Sequence, residues 1–121
     1  MFKIGERYTR DEIYDFVGGS KQSYLPTKNR IVTCICLSKE MNPDAPHIIL
    51  AGQGKIIFRS AKWLVSHGNK LPVFIKESPN NWIYQGSFKV KKSVTDKNEI
   101  QKNYRLAGRE DVQMVIEMKE V

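Results

Sequence analysis

The sequence predicts an α+β domain with a curved, barrel-like and mostly antiparallel β-sheet and two or three helices packed outside it. Five or six short segments are apolar or alternate between apolar and polar residues, as β-strands do. Two capping-box patterns and one segment of 3.6-residue periodicity indicate helices. Strand and helix segments do not alternate regularly, which argues against a parallel α/β sheet. With 121 residues, the chain is expected to form one domain over residues 1–121.

A short helix is predicted near the N-terminus. Thr9 can accept a hydrogen bond from the backbone N–H of Glu12, whose side chain can reach back to Thr9. The helix is expected over residues 10–17 and to end at Gly18-Gly19. Residues 2–8 precede it and start the fold. The side chains expected to face the core are those of Phe2, Ile4, Tyr8, Ile13, Phe16 and Val17.

The middle of the chain is predicted to hold two strands and a longer helix. Residues 30–38 are rich in β-branched side chains and are expected to form one well-buried strand. A shorter strand is expected over residues 48–50. Residues 54–67 are predicted to be helical and to end at Gly68. The helix face expected to pack inward carries Ile57, Ala61, Leu64 and Val65.

The C-terminal half is predicted to contain three strands, a turn and one further helix. Gly86 interrupts the alternating pattern of the second of these strands and indicates a β-bulge. The strands are expected over residues 71–76, 82–91 and 112–118, the turn over 78–81, and the helix from a capping box at 96–99 to about residue 107.

The charge distribution favours a polyanionic partner. The formal net charge is +7. Residues 20–92 contain twelve basic and three acidic side chains, so the middle of the chain carries the positive charge and the two ends together are slightly acidic. A basic field on one part of a small domain favours nucleic acid as the partner.

The sequence gives little indication of catalysis, and we expect neither an enzyme nor a cofactor. Serine lies in no nucleophile-elbow motif, and no complete phosphate loop is present. Cys34 and Cys36 share a strand face and are expected to be buried free thiols, and the two histidines show no metal-ligand spacing. Asp44 and His47 are close enough for an acid–base pair, although both residues are also ordinary in a loop. The absence of a long apolar run or a signal-peptide core predicts a cytoplasmic protein without a membrane span.

Residues 41–54 are the stretch around which we expect a binding site. A loop with two prolines presents Asn42, Asp44 and His47, the apolar strand follows, and Gly52-x-Gly54 opens the long helix. Glycine at such a turn allows a ligand or another backbone to approach closely.

Aromatic side chains beside cations complete the predicted binding surface. Bases stack on aromatic rings while Lys and Arg contact phosphates, and each ring could equally belong to the core. The residues predicted to contact nucleic acid are Lys21, Gln22, Tyr24, Asp44, Ala51, Gly52, Arg59, Lys62, Trp82, Tyr84, Lys89 and Lys91.

The chain resembles the SRA-like (PUA-like) modified-cytosine readers, which occur in methylation-dependent HNH restriction endonucleases and, more distantly, as eukaryotic SRA domains. The resemblance covers nearly the whole chain and rests on the order of several short motifs. These are Phe2-x-x-Gly5-x-x-Tyr8-x-Arg10-x-x-Ile13, Gly18-Gly19, Tyr24-Leu25-Pro26, Asn42-Pro43-Asp44-Ala45-Pro46, Leu50-Ala51-Gly52-Gln53-Gly54, Pro72-Val73-Phe74-Ile75-Lys76 and Trp82-x-Tyr84-x-Gly86.

The resemblance implies a domain that binds duplex DNA and flips a modified cytosine into a pocket. It implies that Asp44 reads the base edge and that residues 50–52 form the pocket wall. SRA domains typically have Tyr-Thr-Gly where this chain has Leu50-Ala51-Gly52, so the stacking aromatic must come from Tyr24, Trp82 or Tyr84. The nuclease motif is absent, which implies binding without cleavage and a separate nuclease as a possible partner.

Two other functions remain open at the level of the sequence. An RNA-binding PUA-like module would show the same charge and the same aromatic residues. A regulatory protein-interaction module would be basic only incidentally. Preference for RNA over duplex DNA would indicate the first, and failure to bind any nucleic acid more tightly than about 10⁻⁴ M would indicate the second.

Overall fold

The computed structural model describes residues 2–121 and contains eight strands and three helices. In chain order these are β1 Arg7–Tyr8, α1 Arg10–Val17, β2 Thr27–Lys28, β3 Ile31–Val32, β4 Ile35–Leu37, β5 Ile48–Ala51, α2 Lys55–His67, β6 Leu71–Ser78, β7 Asn81–Val94, α3 Lys97–Asn103 and β8 Met114–Glu120. No helix in the described range is long and apolar enough to cross a membrane.

Six of the strands form the main sheet, in the order β4-β6-β7-β8-β5, with β1 added on β7. Every pair in it is antiparallel except β4 with β6. The predicted α+β class and the mostly antiparallel sheet are therefore confirmed. Over residues 2–121 the sheet is open, with β4 and β5 at its edges, so backbone pairing does not close the barrel-like shape.

The start of α1 forms the predicted capping box, whereas α3 shows only half of its predicted box, in which the Asp96 carboxylate accepts from the N–H groups of Asn98 and Glu99. The Thr9 hydroxyl accepts from the N–H of Glu12 at 3.1 Å, and the Glu12 carboxylate accepts from the N–H of Thr9 at 2.9 Å. α2 ends at Gly68, which has a left-handed φ of 64°. α3 ends at Asn103 and not near residue 107, because Tyr104 becomes extended, packs on the core and donates its hydroxyl to Glu117.

The single strand predicted over residues 30–38 is in fact two short strands in different sheets. β3 pairs with β2, whereas β4 pairs with β6. Thr33 separates them: its N–H donates to Pro26 O at 2.8 Å and its hydroxyl lies 3.2 Å from Gly18 O. These bonds to an earlier loop override the strand propensity of the sequence.

The bulge predicted at Gly86 is confirmed, because Val73 pairs with Gly86 while Phe74 pairs with Tyr84, which leaves Gln85 unpaired between them. The largest core cluster lies between α2 and the sheet, and a second one surrounds Ile13, Cys34, Cys36 and Phe74. Both cysteines are buried free thiols, with their sulfurs 4.0 Å apart.

Three side chains predicted to be in the core are exposed. Ile4 is 69% exposed, Phe16 54% and Ile57 41%. Ile4 lies at a turn, Phe16 near the end of α1 and Ile57 in the first turn of α2. The apolar side chains that fit the sequence pattern thus include some that the core does not bury.

Candidate functional site

A cavity of about 580 Å³ opens between the N-terminus of α1, the loop at residues 21–24, the end of β5 and the β6–β7 hairpin. Four basic side chains and one acidic side chain line it, namely Arg10, Lys21, Lys76, Arg109 and Asp111. The structure therefore has a concave site of ligand size with a net positive lining.

The acid of the cavity is Asp111, which Arg109 holds in a bidentate ion pair. Arg109 donates from Nε to Oδ1 and from Nη2 to Oδ2, each at 2.9 Å. Its Nη1 donates to the backbone carbonyls of Met41 and Leu50, both at 3.1 Å. The guanidinium thus fixes the carboxylate against the loop before β5 and against β5 itself.

Because Gly52 has no side chain, it leaves room for this ion pair. A Cβ at residue 52 would lie 2.3 Å from Asp111 Oδ2 and 2.7 Å from Arg109 Nη2, which is closer than such atoms can approach. The Gly52-x-Gly54 turn was predicted to permit a close approach, and at Gly52 the group that approaches is this ion pair.

Hydrogen bonds from Arg109 lower the pKa of the Asp111 carboxyl below its usual value, with further contributions from the Arg109 charge and from the backbone N–H groups of Asp111 and Gln53. The side chain keeps 44% of its surface exposed. Asp111 is therefore an ionised, hydrogen-bond-accepting group available at the cavity surface.

Arg10 and Trp82 form a cation–π pair in the cavity wall. The Arg10 guanidinium carbon lies 5.0 Å from the centroid of the Trp82 ring, and Arg10 donates to Ser20 O and Ser23 O, both at 2.9 Å. Arg10 is only 9% exposed, and no carboxylate within residues 2–121 pairs with it. A buried, planar cation thus faces the site.

Tyr24 is the second aromatic side chain of the cavity. Its hydroxyl donates to Ile57 O at 2.8 Å, and its backbone carbonyl accepts from the N–H of Cys36 at 2.8 Å. Burial raises the pKa of the Tyr24 hydroxyl, so the group remains a neutral donor. Tyr24 therefore connects the cavity wall to both β4 and α2.

Asp44, the acid predicted for the cavity, does not line it. The Asp44 carboxylate accepts from Arg105 Nη1 at 2.9 Å, and Asp44 O accepts from the N–H groups of His47 and Ile48. Its neighbour Asn42 lines the cavity instead. The Asn42 amide oxygen accepts from the N–H of Leu50 at 2.9 Å, which fastens the loop to β5.

The structure brings together five of the predicted site residues and separates the other seven. Lys21, Gln22, Tyr24, Gly52 and Trp82 line the cavity, whereas Asp44, Ala51, Arg59, Lys62, Tyr84, Lys89 and Lys91 do not.

The seven other residues occupy several different places. Ala51 is fully buried in the main core. Tyr84 packs in an aromatic cluster, 5.4 Å from the Phe2 ring and 5.3 Å from the Phe74 ring. Arg59 and Lys62 lie on α2. Lys89 and Lys91 lie seven and nine residues beyond Trp82 on β7, roughly 20–30 Å along the strand.

Sequence reasoning missed the roles of Arg10, Arg109 and Asp111, and it named Asn42 only as a polar side chain of the loop before β5. Arg10 and Asn42 belong to the motifs that carried the resemblance, and that was the signal available for them. Nothing in the local pattern distinguished Arg109-x-Asp111, because residues 109–113 reach β5 through long-range contacts. These are the pairing of β8 with β5 and the hydrogen bonds from Arg109 and Gln113 to backbone carbonyls of β5. No group of three or more His, Cys, Asp or Glu side chains within residues 2–121 has the geometry of a metal site.

Solved structures share this fold. The SRA domain of SUVH5, in its complex with hemimethylated CG DNA, gives a TM-score of 0.61 at 16% sequence identity, over 98% of this chain and 88% of that chain. The Type IV phosphorothioation-dependent restriction endonuclease ScoMcrA gives a TM-score of 0.54 at 14% identity, over 98% of this chain but only 27% of the endonuclease. The SRA-like fold inferred from the sequence is thus confirmed.

No curated protein sequence matches this chain significantly. The family model described as "Domain of unknown function (DUF6697)" matches residues 7–119. The chain therefore belongs to the DUF6697 family, and its fold is that of SRA domains.

Proposed function

We propose that this domain binds duplex DNA carrying a modified base and holds that base, extruded from the helix, in the cavity at the end of β5. The observation that carries the proposal is the position of an ionised acid and two flat side-chain groups around one cavity in an SRA-like fold. The proposed activity is binding alone, and any cleavage would require a nuclease partner.

Asp111 supplies the base-edge contact in this proposal. Cytosine presents an exocyclic N4 amine, and an ionised carboxylate is the natural acceptor for it. Enzymes and readers that extrude a base identify it through such contacts to its Watson–Crick edge. The lowered pKa of Asp111 keeps it an acceptor throughout the physiological pH range. Asp111 thus takes the role that the resemblance implied for Asp44.

Flat groups are available to hold the plane of the base. Tyr24 provides one ring, and the Arg10 guanidinium, backed by Trp82, provides a planar cation. Stacking of a base on an aromatic ring contributes roughly 1–3 kcal/mol, and arginine planes serve the same purpose for extruded bases. These groups replace the stacking tyrosine that is absent at Leu50.

Basic side chains supply the phosphate contacts. Lys76 lies at the cavity, as does Lys21, whose Nζ is 3.0 Å from Asp11 Oδ1, and Lys89 and Lys91 lie farther along β7. Counterion release from such contacts gives affinity independent of sequence and a strong dependence on salt. Extruding a base costs a few kcal/mol, which this electrostatic term can offset.

The structural neighbours suggest two modifications for comparison. One neighbour was solved with hemimethylated CG DNA, and the other is described as phosphorothioation-dependent. The first modification is on a base and the second is on the backbone. The base-reading features of this cavity favour the modified base, and methyl and hydroxymethyl groups on cytosine are the first to test.

Competition binding at one fixed salt concentration tests the proposal. Labelled duplex containing one 5-methylcytosine is displaced by duplexes that are unmodified, hydroxymethylated or phosphorothioated, and by single-stranded RNA. We expect a base-modified duplex to compete at least tenfold better than the unmodified one. Equal competition by all duplexes refutes modified-base reading, and stronger competition by RNA supports the RNA-binding alternative.

A further inference from the structure

The middle of β7 carries a lysine that faces another lysine across the sheet. Lys89 is the register partner of Lys119 on β8. Side chains directly opposite each other on antiparallel strands have Cβ atoms about 4.5–5.5 Å apart, and like charges in these positions are destabilising. Within residues 2–121 neither ammonium group has a carboxylate oxygen within 4.0 Å. An anion bound between the two lysines would relieve their repulsion.

The surroundings of this lysine pair are also basic. Lys91 lies at the register shift of β7 between residues 90 and 92, and Lys92 follows it. The neighbouring acids on β8 are Glu117, whose Oε2 lies 3.7 Å from Lys92 Nζ, and Glu120. In the part of the chain that the structure describes, Lys91 forms no ion pair. Four lysines and two glutamates therefore give this surface a net positive charge.

The facing lysines project away from the main core. Phe88 and Met118, which precede them in the sequence, pack in the core cluster between α2 and the sheet. Successive side chains of a strand point to opposite faces of the sheet, so Lys89 and Lys119 lie on the other face. Lys119 is exposed and Lys89 is half-buried. The pair is therefore accessible on the outer face of the sheet.

The middle of β7 is the part of that strand farthest from the cavity. β7 contains two register shifts, and such bulges bend a strand. Both of its ends approach the cavity, because Trp82 lines it and Val94 shares a core cluster with the cavity-lining Leu50. Lys89 lies between these ends, roughly 23 Å along the strand from Trp82. A compact chain of this length has a radius of gyration of about 14 Å, so this separation spans much of the domain.

One short duplex cannot contact both places. The persistence length of DNA is about 150 bp, so a duplex of about 16 bp behaves as a straight rod. A rod placed over the cavity cannot follow the bent strand to the middle of β7. A phosphate backbone bound at the lysine pair must therefore belong to another DNA segment.

We propose that Lys89, Lys91 and Lys119 form a second DNA-binding surface, which holds the phosphate backbone of a duplex other than the one at the cavity. A phosphate oxygen supplies the anion between the two facing lysines. Contacts to phosphates carry no sequence information, so this surface binds unmodified DNA and its affinity falls as salt is added. The domain then bridges two DNA segments. The inference goes beyond the proposed function and rests on it only for the duplex at the cavity.

Capture of a second duplex tests the bridge. A short biotinylated duplex with one 5-methylcytosine is immobilised and loaded with protein, and a fluorescent unmodified duplex of the same length is then added at low salt. Lys119→Glu is the test variant, because it places opposite charges across the strands and should not lower the Tm. Lys97→Glu is the matched control, since it makes the same charge change at an exposed lysine in the first turn of α3, where an acid is favourable.

We expect the unmodified protein and Lys97→Glu to retain the fluorescent duplex, and Lys119→Glu to retain roughly tenfold less, because the variant loses a phosphate contact. The Kd of Lys119→Glu for the immobilised duplex should change less than threefold, and its Tm should not fall. Failure of the unmodified protein to retain the fluorescent duplex, or equal retention by Lys119→Glu, overturns the second surface.

Two further outcomes separate this surface from the cavity. If Lys119→Glu weakens binding to both duplexes equally, Lys119 contacts the duplex at the cavity and the second surface is overturned. If the second duplex is retained but 5-methylcytosine gives the immobilised duplex no advantage over an unmodified one, the proposed function fails and the second surface stands.

Discussion

Arg109 and Asp111 form a bidentate ion pair whose guanidinium is only 12% exposed and also donates to two backbone carbonyls of the cavity wall. The Arg109 guanidinium therefore holds the cavity wall together, and the Asp111 carboxylate is the part of the pair that a ligand in the cavity can contact. Asp111 is therefore the residue at which the proposed reading of a base edge can be tested, with the free energy of unfolding measured alongside, because its substitution also weakens the pair with Arg109.

Asp111→Asn should weaken binding to the modified duplex by about 10- to 150-fold, because a hydrogen bond to a charged group contributes roughly 1.5–3 kcal/mol. Asp44→Asn is the matched control, since Asp44 pairs with Arg105 outside the cavity. We expect it to change the Kd less than twofold. A larger effect of Asp44→Asn than of Asp111→Asn would return the reading role to the residue that the sequence favoured.

Asp111 should contribute nothing to the pH dependence of DNA binding between pH 5 and pH 8. Arg109 lowers the pKa of Asp111 below its usual 3.8, so the carboxylate stays ionised over this range. For the same reason the stabilisation from this pair is fully present above the unfolded pKa and is lost as the pH falls through the folded pKa. Titrations by fluorescence anisotropy at pH 5, 6, 7 and 8 check the prediction, and a steady loss of affinity from pH 8 to 5 contradicts it.

Gly52→Ala should displace the Arg109–Asp111 pair, because the added methyl group has no room beside it. We expect a loss of roughly 1–3 kcal/mol in the free energy of unfolding, as for other overpacked sites, together with weaker DNA binding. Gly68→Asn is the control, because residue 68 is left-handed with open space around it and Asn tolerates that conformation. Urea denaturation and anisotropy measure the two effects, and unchanged stability would show that the pair can move aside.

The salt dependence of binding should identify the phosphate contacts on α2. Removing a side chain that neutralises one phosphate lowers the slope of log K against log salt by about one unit. We expect this for Arg59→Ala and for Lys62→Ala. Lys97→Ala, at an exposed lysine in the first turn of α3, serves as the control and should leave the slope unchanged. An unaltered slope in the α2 variants would remove that helix from the DNA footprint.

Local chemistry in the sequence predicted much of the fold and part of the site. The Thr9 cap, the Gly68 end of α2 and the bulge beside Gly86 depend on neighbouring residues, so they could be predicted. Tyr24 and Trp82 were found because their aromatic rings stand among polar and basic residues.

The acid of the cavity could not be predicted in the same way. The resemblance implied that Asp44 reads the base edge, but Arg105 pairs with Asp44 outside the cavity. Asp111 is brought to β5 by long-range pairing: β8 runs antiparallel to β5, and Gln113 N–H donates to Ala51 O at 2.8 Å. The local spacing of apolar residues cannot reveal a contact between residues that are about sixty positions apart.

The hydrogen bond from the Tyr24 hydroxyl to Ile57 O joins the wall of the cavity to the first turn of α2. A small molecule that fills the cavity and moves the Tyr24 ring must therefore either break this hydrogen bond or shift the first turn of α2. Ligand binding in the cavity and contact of α2 with DNA are in that case linked equilibria. Each changes the affinity of the other by the same factor. A free nucleoside of the right modification would then act as an effector of DNA binding as well as a competitor.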